Sequence, residues 1–211
     1  MEKITNEISK ALQAGDVNTV QAKIKEGLEN EITPRDLLND GLLSGMSIIG
    51  EKFKNNEVFV PEVLIAARAM NGGMEILKPK LIETGVEAIG KIIIGTVKGD
   101  LHDIGKNLVK MMMEGTGFEV IDLGTDVSPE DFVAAVKEHK PNIVGLSALL
   151  TTTMPQMKKT IEVLEESGLR DQVVVMIGGA PITDKYAEEI GADAYSKDAA
   201  TAATIAKEKV S

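Results

Sequence analysis

Three short segments carry residue types that can do chemistry. In Gly99-Asp100-Leu101-His102-Asp103-Ile104-Gly105 an imidazole follows a carboxylate by two residues. On a loop over a sheet edge, Asp100 can hold one ring nitrogen of His102 while the other faces a ligand, the arrangement that orients a metal-binding histidine. The segment Ser147-Ala-Leu-Leu-Thr151-Thr-Thr153 offers hydroxyls where an apolar run ends. Gly178-Gly179-Ala180-Pro181 removes side chains, which suits a place where a bulky ligand lies against backbone. Each segment alone has a plainer reading: a surface histidine, a Ser/Thr cap of the next helix, an ordinary Gly-Gly turn. Their joint appearance after three apolar runs points to one site.

The elements that must position these segments differ between the two parts of the chain. From Lys91 onward, short apolar runs occur at Lys91–Val97, Phe118–Leu123, Asn142–Ser147, Gln172–Ile177 and, more weakly, Ala192–Ser196, separated by amphipathic segments. Runs rich in Ile, Val and Leu at roughly 20–30-residue spacing are what a parallel sheet buried on both faces requires. The expected fold class is α/β: a doubly wound, five-stranded parallel sheet of Rossmann or flavodoxin-like type, with ligands at the carboxyl ends of its strands. Before it, apolar residues recur at helical spacing, as in Ile4, Ile8, Leu12 and Val20, Ile24, Leu28, and Thr33-Pro34 reads as an N-cap with proline at the first helical position. Four or five helices are expected, with breaks at Gly15-Asp16, Thr33-Pro34 and Val60-Pro61. The domain division is set at 1–88, an all-α helical domain, and 89–211, the α/β domain, joined through the segment 83–90.

Composition narrows the chemistry. The 211 residues contain no cysteine, which removes thiolate nucleophiles, iron–sulfur clusters and cysteine-bound zinc. The net charge of −10 is spread over both parts, and aromatic residues make up 3%. No nucleic acid is expected as a partner, because there is neither a basic surface to release counterions nor aromatic rings to stack on bases. No membrane is expected either: no long uncharged apolar run and no signal-peptide pattern occur, and a cytoplasmic location is inferred. Met111-Met112-Met113 reads as core filling, and His139 as a solvated helix end.

Asp100-x-His102-x-x-Gly105, then Ser147-x-Leu149, then Gly178-Gly179, resembles the corrinoid (vitamin B12) fingerprint Asp-x-His-x-x-Gly, Ser-x-Leu, Gly-Gly. The helical part resembles the cap module that precedes this domain in methionine synthase and in the small corrinoid proteins of anaerobic methyltransferase systems serving methylamines, methanol or betaines. Phe53, the stretch Phe59-Val60-Pro61-Glu62-Val63 and Ala66-Ala67-Arg68-Ala69-Met70 carry the likeness to the cap. Thr-Thr-Thr-Met at 151–154 is closer to the amine and betaine corrinoid proteins.

The resemblance implies roles residue by residue. His102 binds the cobalt from below, Asp100 accepts from its other nitrogen, and Thr153 extends the chain where methionine synthase has serine. Gly99, Asp103, Ile104 and Gly105 belong to the same cofactor-binding loop. Ser147, Leu149, Thr151, Gly178 and Gly179 line the slot for the displaced nucleotide tail, with Ala199 on its far wall. Phe53 and Val60 belong to the cap over the methyl-bearing face, Val60 being smaller than the leucine usual there. The implied cofactor is cobalamin or a related corrinoid, its cobalt alternating between methyl-Co(III) and Co(I). The implied partners are a substrate-specific methyltransferase, a second methyltransferase using tetrahydrofolate or coenzyme M, and a reductive activating protein.

The expected function is that of a methyl carrier between two methyltransferases, non-catalytic alone. A corrinoid-dependent sensor is the alternative, although such proteins add a DNA-binding domain and this chain shows no basic helix-turn-helix. The B12 subunit of an adenosylcobalamin mutase would lack the first helices in this form. A phosphate-receiver domain needs an aspartate where Ser147 stands.

Overall fold

The structure, a computed structural model, describes residues 2–210. They form two compact units, one extending through residue 88 and one from residue 89 on, apart from the turn 115–117.

The first unit is helical: α1 (Glu2–Gln13), α2 (Val17–Glu29), α3 (Pro34–Asp36), a π-helical turn (Leu37–Leu43), α4 (Ser44–Lys54) and α5 (Val60–Glu83). Asp16 and Thr33 cap α2 and α3 by accepting from the amides of Thr19 and Asp36. Pro34 to Lys54 run as one continuous helix that widens over the π turn. Its glycines explain the close approach to α1: a Cβ on Gly41 would lie 3.0 Å from Ile8 Cγ2, and one on Gly45 would lie 3.0 Å from the Ser9 carbonyl oxygen. Ile8, Leu12, Ile24, Leu37, Leu42 and Leu77 are fully buried between these helices, so the helical spacing of the apolar residues becomes one shared core. The expected break at Val60-Pro61 falls at the start of α5, where Glu62 accepts from the Phe59 amide at 3.1 Å and Pro61 sits in the first turn.

The second unit is a five-stranded parallel sheet in the order β2-β1-β3-β4-β5. The strands are β1 (Lys91–Thr96), β2 (Glu119–Asp122), β3 (Ile143–Ser147), β4 (Val174–Gly178) and β5 (Ala194–Ser196). The helices are α6 (Ile104–Glu114), α7 (Pro129–His139), α8 (Pro155–Glu166), α9 (Asp184–Ile190) and α10 (Ala199–Val210). Ile93, Val144, Val175 and Ile177 pack in one core with Phe132 of α7, Met157 and Ile161 of α8 and Ile190 of α9. Alternate residues Ile92, Ile94, Ile143 and Met176 are also buried and point to the opposite face, where α6 and α10 pack on each other. Apolar burial on both faces is why the strands read as unbroken runs. Each strand is slightly shorter than its run: Arg170–Gln172 form a 3-10 turn before β4, and Val97, past the end of β1, forms an isolated bridge with Val127. The strand order reverses direction at β1/β3, and the crevice beyond their carboxyl ends is the ligand position of this topology. Among the described residues no helix is long and apolar enough to cross a membrane.

Candidate functional site

The loop after β1 and the loop after β3 meet at that crevice, and Asp100 is what joins them. Its carboxylate is fully buried yet satisfied on both oxygens. Oδ1 accepts from the His102 amide at 3.1 Å and lies 2.7 Å from His102 Nδ1. Oδ2 accepts from the Leu149 amide at 2.8 Å, the Leu150 amide at 3.3 Å and the Thr153 hydroxyl at 2.7 Å. Burial alone would favour the neutral acid. The Thr153, Leu149 and His102 hydrogen bonds outweigh it and hold the carboxyl well below the usual aspartate range. A carboxylate can only accept, so His102 Nδ1 carries a proton, and in the neutral ring Nε2 keeps its lone pair. The His102 side chain is half exposed, so its ring is tied at the buried end and open at the other.

Other contacts fix the loop. The buried Thr96 donates its hydroxyl to the His102 carbonyl at 2.8 Å. Asp103 is exposed and starts α6: its carboxylate accepts from the Asn107 side-chain amide at 3.0 Å, and its carbonyl from the Asn107 amide at 2.7 Å. Lys106, in the first turn of α6, is buried and pairs with Asp122 at the end of β2 at 2.6 Å. Thr96, Lys106 and the Leu150 amide were not expected from sequence. The hydroxyl and the ammonium sit inside apolar patterns, and a backbone amide leaves no sequence signal.

Around His102 the surface is apolar. Leu101 is 73% exposed, Ile104 77%, and Leu149 and Leu150 41% each. A Cβ on the exposed Gly105 would meet nothing within 4 Å, and one on Gly99, at φ +80°, only the Thr153 methyl at 3.7 Å. An apolar floor with an imidazole nitrogen standing in it fits a flat macrocycle that carries a metal able to take a nitrogen donor.

The remaining expected residues are distributed as follows. Ser147 ends β3, opposite Thr96 of β1 and Gly178 of β4, and Thr151 is exposed in the following turn. Gly178 and Gly179 differ in kind. A Cβ on Gly178 would have ordinary contacts with Ser196, the nearest at 3.6 Å, whereas one on Gly179, at φ +140°, would fall 1.8 Å from the Ala148 carbonyl oxygen. Gly179 is therefore required by the packing of its own chain against Ala148. Ala199, in the first turn of α10, is buried. Phe53, near the end of α4, and Val60, the first residue of α5, are half-buried in the helical unit.

Two family descriptions, both of a B12 binding domain, match this chain, over residues 90–204 and over residues 4–78. The chain belongs to the B12-binding family, as a helical cap followed by a parallel-sheet corrinoid-binding domain. Among its relatives, dimethylamine corrinoid protein 1 of Methanosarcina acetivorans is 42% identical over 208 residues, 98% of this chain and 97% of that one. A corrinoid protein of Desulfitobacterium hafniense strain Y51 is 40% identical over 206 residues, 96% of this chain and 95% of that one. Of solved structures, the methanol:cobalamin methyltransferase complex of Methanosarcina barkeri superposes with a TM-score of 0.89 at 30% identity, covering 99% of this chain and 80% of that one. A cobalamin-binding protein of D. hafniense DCB-2 gives 0.81 at 34% identity, covering 98% of each chain.

Proposed function

We propose that this protein carries a methyl group on a bound corrinoid from a substrate-specific methyltransferase, of methylamine or similar type, to a second methyltransferase that passes it to tetrahydrofolate or coenzyme M. The observation that carries the reading is the Asp100-centred cluster at the β1/β3 switch point, which leaves His102 Nε2 as an oriented donor on an apolar floor. When bound, the corrinoid supplies a cobalt that accepts a methyl group as Co(I) and holds it as Co(III). His102 Nε2 would hold the cobalt. Asp100 keeps the ring in the tautomer that can ligate and holds the proton on Nδ1, and Thr153 together with the Leu149 amide keeps Asp100 ionised while it does so. Ser147, Leu149, Thr151, Gly178 and Gly179 would line the slot of the nucleotide tail, with Ala199 at its far wall. The resemblance assigns Phe53 and Val60 of the helical unit to the methyl-bearing face.

The methylamine preference rests on relatives: a dimethylamine and a trimethylamine corrinoid protein of M. acetivorans are each 42% identical, against 30% for the methanol complex. A carrier whose cobalt strays from the Co(I) state needs a reductive activating protein, which is part of the proposal. The test is anaerobic reconstitution with hydroxocobalamin, reduction, and supply of methylated amines, betaine or methanol with their methyltransferases, following methyl-cobalt absorbance. Stoichiometric methylation that is reversed by a coenzyme M or tetrahydrofolate methyltransferase is expected. Retention of corrinoid without methylation by any of these donors would refute the carrier role.

A further inference from the structure

The loop after β2 holds a residue that none of the site chemistry above uses. Asp126 has φ +55°, a left-handed backbone that side-chain-bearing residues adopt only where something compensates. There, its carboxylate Oδ1 accepts from the Gly99 amide at 2.7 Å, and its own amide donates to the Asp100 carbonyl at 3.0 Å. Both contacts fall on the two residues that lead into His102. Gly124 and Val127 hold the same loop to β1: the Gly124 carbonyl accepts from the Thr96 amide, and the Val127 amide donates to the Thr96 carbonyl. Lys98 Nζ lies 3.3 Å from the Asp126 carboxylate, so the acceptor of the Gly99 amide is kept charged beside a cation. Gly99 is itself at φ +80°, and a loop with such freedom needs an outside restraint to present one geometry.

We infer that Asp126 is a positioning residue for the lower ligand, clamping the Gly99–Asp100 backbone so that Asp100 presents His102 in a single orientation. The inference rests on the carrier reading for its consequence at cobalt, but the clamp itself exists without cofactor. Asp126→Gly is the informative change: it removes the carboxylate, keeps the backbone amide and relieves the positive φ. Asp126→Asn keeps an acceptor oxygen and tolerates the same backbone.

Without corrinoid, amide hydrogen exchange by NMR is expected to quicken at Gly99 about tenfold in Asp126→Gly, the low end for a charge-assisted hydrogen bond because the carboxylate is partly exposed, and to return towards wild type in Asp126→Asn. With corrinoid, the fraction of Co(II) signal split by an axial nitrogen is expected to fall in Asp126→Gly and recover in Asp126→Asn. Unchanged exchange and an unchanged split signal in Asp126→Gly would overturn the inference. If that variant does not fold, the unaltered protein decides: the Gly99 amide proton shift must follow protonation of the Asp126 side chain, and independence of the two overturns the clamp. Failure of wild type to retain corrinoid would sink the carrier reading and leave the exchange test standing.

Discussion

Replacing Asp100 with asparagine changes little in shape and much in hydrogen-bond logic. The carboxylate receives five donors, two on Oδ1 and three on Oδ2. An amide has one acceptor oxygen, and its NH2 must face one of those groups. Turned towards Leu149, Leu150 and Thr153, the NH2 meets two backbone N–H groups that cannot become acceptors. Turned towards His102, it meets one N–H and a ring nitrogen that can accept if the proton moves to Nε2. The second arrangement is less costly, and it takes away the lone pair that faces the ligand. Exchange of a charged acceptor for a neutral one should cost about 1.5–3 kcal/mol in the apo protein, and loss of the carboxylate behind a ligating histidine should weaken its hold on the metal about 10–100-fold. Imidazole nitrogen chemical shifts report the tautomer directly, and denaturant titration reports the stability. An Asp100→Asn protein that keeps the proton on Nδ1 and an undiminished His-coordinated spectrum would refute the reasoning.

The glycines divide into two kinds that melting and binding experiments separate. Gly179→Ala should destabilise by about 2–4 kcal/mol, since its Cβ collides with the Ala148 carbonyl; an unchanged melting temperature would contradict this. Gly105→Ala should leave stability level or raise it by about 0.5–1 kcal/mol, because the site is helical and empty, while corrinoid affinity measured by spectral titration falls. His102→Ala should keep the fold, the ring being half exposed, and abolish axial-nitrogen splitting of the Co(II) signal. Asp100 also sets an acid limit: its folded pKa lies below its unfolded value, so its contribution is present above about pH 4 and is lost as pH falls towards the folded value. Apo wild type should therefore lose stability below about pH 4 more steeply than Asp100→Asn, as read from urea midpoints across pH.

The sheet was legible because both faces of each strand are apolar, and its helices because their single apolar stripes have helical spacing. What escaped was decided by packing between elements. The π turn at Leu37–Leu43 looks like plain helix in sequence, since what accompanies it is the fit of Gly41 and Gly45 against α1. At the site, Asp100 and His102 could be read because a carboxylate two residues before an imidazole carries its own bonding, whereas Thr153, 53 residues away from Asp100, was reached only through the resemblance to corrinoid proteins. Asp126 could not: an acidic residue in Gly124-Thr-Asp126 reads as a turn, and its partners are backbone groups 26 and 27 residues earlier. Gly178-Gly179 reads in sequence as room for a ligand, and the structure adds that the missing side chain of Gly179 also leaves space for the Ala148 carbonyl, a packing contact without a sequence pattern.

The central claim is that His102 is the lower ligand of a bound corrinoid. Its most direct test is electron paramagnetic resonance of the Co(II) form after anaerobic loading of protein labelled at histidine with nitrogen-15. The account predicts stoichiometric corrinoid whose signal splits into doublets in labelled protein, into triplets in unlabelled protein, and not at all in His102→Ala. Triplets that ignore the label, or splitting that survives in His102→Ala, would contradict it.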